Sequence, residues 1–515
     1  MCWKKRSFLS LGLYMCFALF LSAVIFAGEV LAAQYKSEII IARPEDSQNL
    51  DPVTQNGNIN IWVFDLVMEG LLRTTDDGKG IEPLLAESYE VSDDFLTYTF
   101  KLKEGLVFSN GDPVQAEDLV WTYERAMNTE DSVWKDTVAN FKSVEAPNDT
   151  TFIIRMKQPS PVSEPMFTFF TLLIGNKSYF EEVGLENYSK KPIGTGPYKF
   201  DEWRQGEYLR IVKNEKHRNA DNVKTESIVF RVVPDDNSRI MQLQTGEVDV
   251  ITFVPWNRMA EIDADPSLKV ATFDATETRD LRLNCTYGPL QDVRVRRAIA
   301  MAINRNAIVR TVLFGYGKIA DSLFASSIPY YSPVTVAPYD IDAAKALLAE
   351  AGHPNGFPLT LTLRAGNVVE EQIGTLVKEQ LAAIGINITI ETFEAGTFVN
   401  LRNNLKLQAF FGGYTSDIPD PSQQSNYYNL PTMAKCALTG WENERAIALA
   451  QSATLEMDPV KRAQLYAELL QNFANEAPTI AIYYAPYPVA MRAKVSGFAQ
   501  TPLGNYRLGN LYCEQ

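Results

Sequence analysis

The chain has 515 residues, with 48 Lys and Arg against 63 Asp and Glu and a net charge of −15. A surface this acidic, with no basic cluster beyond its first residues, excludes nucleic acid as an expected partner. The length exceeds what one hydrophobic core fills, so two or three domains are expected.

Lys4, Lys5 and Arg6 precede an almost wholly apolar run over residues 8–27, and small residues stand at Ala32 and Ala33. A basic start, an apolar core and a small-residue cleavage site predict a secretory signal peptide over residues 1–33, removed on export. The run is also long enough for an uncleaved membrane anchor, which is the alternative. Tyr14 and Met15, both large, argue against a lipid anchor at Cys16. Cleavage removes three bases and one acid, so the net charge moves from −15 to −17. No later apolar run is long enough to span a bilayer. Cys285, Cys436 and Cys513 remain, and three cysteines leave at least one thiol unpaired.

In chain order, "KSEIIIAR" predicts a buried strand. "LTYTFKLKEGLVFSNGDPV" predicts a strand, a turn at residues 109–112, and a helix opening near Ala116, where Leu119 and Val120 follow at helical spacing. "VEAPNDTTFIIRM" predicts a hairpin. Gly194 and Gly196 in "PIGTGPYKFDEW" predict a tight bend that needs positive φ, with no phosphate-loop lysine after it. "DVRVRRAIAMAINRNAIVRTVL" predicts a long amphipathic helical region, and "DAAKALLAEAG" a helix stopped by Gly352. "EEQIGTLVKEQLAAIGINITIETF" reads as a helix then a strand, and "MDPVKRAQLYAELLQNFANEAP" as a further helix. Helices and strands alternate throughout, which favours the α/β class.

Several of these stretches are distinctive as words. They are "LDP" (50–52), "EPLLAESY" (82–89), "LTYTFKLKEGLVFSNGDPVQAEDLVWTYERAM" (96–127), "PIGTGPYKFDEW" (192–203), "LQTGEVDV" (243–250), "VRRAIAMAINRNAIV" (295–309), "YDIDAAKALLAEAGHPNGF" (339–357) and "GGYTSDIPDP" (412–421). In this order they resemble the extracytoplasmic solute-binding proteins of ABC transporters, in the peptide-binding family 5 that includes periplasmic dipeptide- and oligopeptide-binding proteins. The resemblance covers nearly the whole chain after the leader. It implies an α/β, two-lobed periplasmic-binding-protein fold of type II-like form, closing on ligand by a hinge, with an extra α/β domain inserted in the first lobe. Lobe I would combine residues 34–80, 190–270 and 490–515. The inserted domain would span 80–190, and lobe II 271–490.

The resemblance also implies a site. The loop Gly413, Tyr414, Thr415 and Asp417 matches the family's Gly-Trp-x-x-Asp, whose aspartate receives a peptide's α-amino group. Here tyrosine replaces the tryptophan. A carboxylate in a dry cleft accepts charge-assisted hydrogen bonds from an ammonium and is costly to leave unpaired. The bland alternative is that Asp417 caps its own turn. Asp420 is expected only to order the loop. Arg364, counted back from "AAIGI", falls where dipeptide-binding members hold the ligand's carboxylate, and a guanidinium suits that task. Asn56, Gly57 and Asn58 match a stretch running beside the peptide main chain. Trp134 is a further aromatic, either a cleft wall or core. His217 and His353, the only histidines, are expected to be structural or exposed, which weakens a nickel reading.

The implied activity is capture of short, dipeptide-like peptides for an ABC import permease, by a periplasmic monomer that needs no cofactor. The same fold could instead hold an opine, an oligosaccharide, glutathione or a metal chelate. The rival class is a glycosidase-like enzyme using Asp417 and Asp420 as an acid pair, but no base–nucleophile set, metal spacing or nucleotide motif accompanies them.

Overall fold

The computed structural model describes residues 35–55, 57–135, 138–159, 173–334, 338–416, 418–432 and 435–515. The predicted signal peptide, Asn56 and Asp417 lie outside the described residues.

The predicted first strand, Glu38–Arg43, carries three isoleucines and lies at the centre of a seven-stranded mixed sheet. The order across it is Leu268–Phe273, Tyr487–Arg492, Val250–Thr252, Glu38–Arg43, Ser227–Val232, Tyr208–Lys213 and Tyr198–Arg204. Glu38–Arg43 runs parallel to both of its neighbours, and a strand buried on two faces needs a continuous apolar run. The helix Asn58–Val67 packs beside this sheet and is buried almost all round, as its composition, rich in Ile, Val, Phe and Trp, requires.

A second sheet has six strands in the order Lys318–Ile319, Thr479–Tyr484, Thr278–Leu283, Ala409–Tyr414, Pro358–Arg364 and Asn387–Phe393. Its last two strands pair in parallel through the helix Val368–Ala382, as the helix–strand pattern predicts. The long helical region divides into Val293–Ala302 and Arg305–Thr311. The break falls at Ile303 and Asn304, where the Asn304 side chain caps the second helix through the Ala307 N–H. Gly352 has φ 88° just past the helix Ile341–Glu350, the stop expected of it.

A separate four-stranded antiparallel sheet joins Ala86–Val91, Thr97–Leu102, Thr151–Met156 and Phe141–Asn148, including the predicted hairpin. Its inward residues Tyr98, Phe100, Phe152 and Ile154 meet Leu119 and Tyr123 of the helix Ala116–Asn128 in one core. The two large sheets have their own cores, which gives the two-lobed fold.

Gly194 and Gly196 are required for a different reason from the one expected. Neither has positive φ. Their backbone lies against the end of the helix Asn58–Val67, and a Cβ on Gly196 would meet the Leu66 carbonyl oxygen at 2.6 Å. Close approach, rather than backbone handedness, selects glycine there.

The chain passes between the two large sheets twice, at residues 274–277 and 485–486. The Ala485 N–H donates to the Glu277 carbonyl at 3.3 Å, tying the two short crossings together. Cys285, Cys436 and Cys513 are free thiols, and burial pushes the first two up to about 11 and about 12.

Candidate functional site

A cavity of about 600 Å³ lies beside the crossings. Asn58, Trp62 and Phe253 line it from the seven-stranded side, and Arg279, Glu370 and Gly412 from the six-stranded side. Glu277, Ala485 and Pro486 of the crossings also line it. The volume falls within the roughly 300–1,000 Å³ of ligand clefts.

The aromatic wall is built by packing between distant segments. Trp62 stacks on Phe253 with centroids 5.6 Å apart and meets Tyr487 edge-on at 5.3 Å. Phe253 has φ 56° and is 41% exposed. A large aromatic in the left-handed region is strained, and such residues concentrate at functional sites.

The opposite wall is charged. Glu277 pairs with Arg279 at 2.8 Å, and that carboxylate raises the Arg279 pKa further above its usual value. Glu370, in the first turn of the helix Val368–Ala382, forms no ion pair among the described residues. Burial raises its pKa, and the guanidinium groups of Arg279 and Arg364 offset this only in part. A raised folded-state pKa means that Glu370 favours folding most below its unfolded value near 4.5 and loses that contribution as pH rises through the folded value. Glu370→Gln is therefore expected to raise the thermal midpoint of the ligand-free protein at pH 7, with the gain vanishing below pH 4.5. A midpoint-against-pH series on both proteins checks this.

Behind the charged wall, Asp280 and Arg282 form a fully buried pair at 2.9 Å. Arg282 also donates to the Tyr427 hydroxyl at 2.7 Å and to the Gly413 carbonyl at 2.9 Å, and Tyr428 donates to Asp280. A Cβ on Gly412 would run into this guanidinium, so the glycine lets the strand lie against it. The network holds the strand Ala409–Tyr414 that leads into the predicted binding loop.

The residues expected from sequence fall as follows. Gly413 and Tyr414 end that strand, opposite Arg279 and Thr278. The Tyr414 ring sits 4.7 Å from Tyr427. Thr415 follows, half-buried, and Ser416 N–H donates to the Thr276 hydroxyl of the first crossing at 3.1 Å. Ile418 packs into the core of the seven-stranded sheet beside Trp62 and Leu50, so the loop reaches from one lobe to the other. Gly57 is the N-cap residue of the helix Asn58–Val67, and Asn58 faces the cavity. Arg364 is exposed at the end of its strand, near Glu370. Trp134 is buried in the core, and its indole N–H donates to the Pro52 carbonyl at 2.7 Å; it is not among the cavity residues. Asp420 caps the helix Pro421–Asn429 and pairs with Arg462 at 2.6 and 2.9 Å. That is a larger role than ordering the loop.

His217 sits 3.5 Å from buried Glu69, and His353 lies edge-on to Phe357 at 5.3 Å. No group of three metal-ligating side chains exists among the described residues, nor a helix long and apolar enough to cross a membrane. Sequence reasoning missed Trp62, Phe253, Arg279 and Glu370. The one local signal was the charge in "TRDLRL", where a core strand carries Arg279, Asp280 and Arg282.

Comparison with known proteins bears on the same fold. The glutathione-binding protein GsiB of Escherichia coli O1:K1 / APEC is 28% identical over 499 residues, covering 93% of this chain and 95% of that protein. HbpA2 from Haemophilus parasuis superposes with a TM-score of 0.83 at 25% identity, covering 93% of this chain and 100% of that one. DppA from Helicobacter pylori, a periplasmic binding protein solved with the peptide STSA, gives 0.78 at 25% identity, covering 94% and 99%. Residues 80–435 match the model of the bacterial extracellular solute-binding proteins, family 5 Middle. With two lobes around a shared cavity and a family match over most of its length, the chain belongs to the family 5 extracellular solute-binding proteins of ABC transporters.

Proposed function

We propose that this protein captures a short peptide in the cavity between its lobes and delivers it to an ABC import permease. The observation that carries the reading is the cavity itself. It is shared by both lobes, walled by aromatics on one side and by Arg279 and Glu370 on the other, and large enough for a few residues. Asp417 would receive the α-ammonium, Arg364 the carboxylate, and Asn56, Gly57 and Asn58 would run beside the main chain. Ligand contacts to both walls would draw the lobes together about the crossings at 274–277 and 485–486.

The GsiB resemblance makes glutathione the first peptide to test, since it carries one ammonium and two carboxylates on a short, partly apolar frame. The protein would act as a monomer in the periplasm after loss of residues 1–33, binding without chemical turnover. Mass spectrometry of ligand released from the purified protein, followed by calorimetry with glutathione and a dipeptide panel, tests the reading. Retention of intact peptide and saturable binding at one site are expected. Retention of a sugar, opine or nickel complex with no peptide binding overturns the peptide assignment, and turnover of bound peptide overturns the binding-only reading.

A further inference from the structure

A second cavity, of about 220 Å³, lies in the six-stranded lobe and shares no lining residue with the first. It is bounded by the end of the helix Pro459–Glu476, the start of the strand Thr479–Tyr484 and the helices that carry Arg297 and Arg305. Part of its wall is apolar, with Leu323, Val334, Leu470 and Phe473.

Its lining includes Gln471 and Asn475, of which Gln471 donates to the Asn475 side-chain carbonyl at 3.1 Å, and a group of donors with capacity to spare. Arg305 spends its Nε on the Ala481 carbonyl at 2.8 Å, and among the described residues its terminal nitrogens have no partner and it has no ion pair. Burial lowers its pKa with no neighbouring carboxylate to oppose the effect. Among the described residues Arg297 also lacks an ion pair, and no acid lines the cavity. Two hydroxyls complete the set: Ser322 is 2% exposed and Thr479 5%, and the side-chain oxygen of each is buried without a hydrogen-bond partner. The acids nearest in sequence are engaged elsewhere. Asp321 accepts from the Tyr331 and Tyr484 hydroxyls, and Glu476 pairs with Arg296.

Two buried hydroxyls without partners, lining the same cavity as a half-buried guanidinium that has no counter-charge, leave hydrogen-bonding capacity that a bound anion fills. We propose that this cavity binds a small anion bearing a short apolar group, of the kind a short-chain carboxylate provides. The carboxylate would meet Arg305, Ser322 and Thr479, and the chain would lie along Leu470 and Phe473. The volume, below the range of drug-sized clefts, suits such a ligand. The inference stands apart from the peptide reading, because it uses none of the residues placed in the larger cavity.

Calorimetry of the full exported protein with hexanoate, hexan-1-ol and inorganic sulfate tests it. Hexanoate is expected to bind once per chain, at least about tenfold more tightly than the alcohol or sulfate. Arg305→Met should weaken it by at least about tenfold, and Arg297→Gln by less. Should Arg305→Met fail to fold, Arg305→Lys, Thr479→Val and Arg297→Gln replace it. Equal binding of hexanoate and the alcohol overturns the anion assignment, and equal binding of sulfate overturns the apolar part. Wild-type hexanoate affinity in the Arg305 and Thr479 variants places the anion elsewhere and overturns the site. Absence of saturable hexanoate binding overturns the proposal as a whole.

Discussion

Asp417→Ala is expected to weaken binding of a free peptide by roughly 30- to 4,000-fold, the loss of about 2–5 kcal/mol that follows when one member of a desolvated charge pair is truncated. The expectation rests on the family match of Gly413-Tyr414-x-x-Asp417 and on the chain either side of it. The strand Ala409–Tyr414 is held by the Arg282 network, and Ile418 is anchored in the core of the opposite lobe. Acetylating the peptide's amino end should mimic the substitution and add little on top of it, since both remove one interaction. Calorimetry on wild type and variant, with free and acetylated peptide, measures the effect. Wild-type affinity in the variant, or indifference to acetylation, would show that Asp417 is not the amine seat.

The second large effect falls on stability. Asp420→Ala should destabilise the protein by about 3–5 kcal/mol, because it leaves Arg462 buried without its partner. Arg462 is held by two oxygens of Asp420 at 2.6 and 2.9 Å and by the Ala453 carbonyl at 2.9 Å, and it lies over the rings of Tyr330 and Tyr466. Removing the carboxylate takes away both charge-assisted bonds while the cation stays dry. For a lobe of about 200 residues unfolding as one unit, the thermal midpoint is expected to fall by roughly 6–20 °C. The double variant Asp420→Ala, Arg462→Met should lose less than the sum of the two single changes, since the pair fails as a unit. A midpoint within about 2 °C of wild type would mean the pair is dispensable. Asp417 and Asp420, three apart, are thus expected to fail differently: the first in affinity with the fold intact, the second in the fold.

Local physics made much of this molecule legible in its residues. Alternation over Thr97–Leu102 and Thr151–Met156, the helical spacing that opens at Ala116, and the stop at Gly352 each depend on neighbours a few positions away, so each was readable without coordinates. The ordered family words carried the two-lobed fold, because they report an arrangement that no single stretch encodes. Only the tertiary structure decided the rest. Trp62, Phe253, Arg279, Glu370 and Tyr487 meet at one cavity from separate segments spread between positions 62 and 487, and nothing in the local pattern of any one of them signals the others. Gly196 reads as a turn residue until the helix end against it shows that space, not handedness, selects it. Asp420 reads as a loop former until Arg462 arrives from 42 positions away. In each case the sequence by itself determined the residue's chemistry, while the partner was supplied by long-range packing, which is where burial and desolvation turn a charge or a ring into a site.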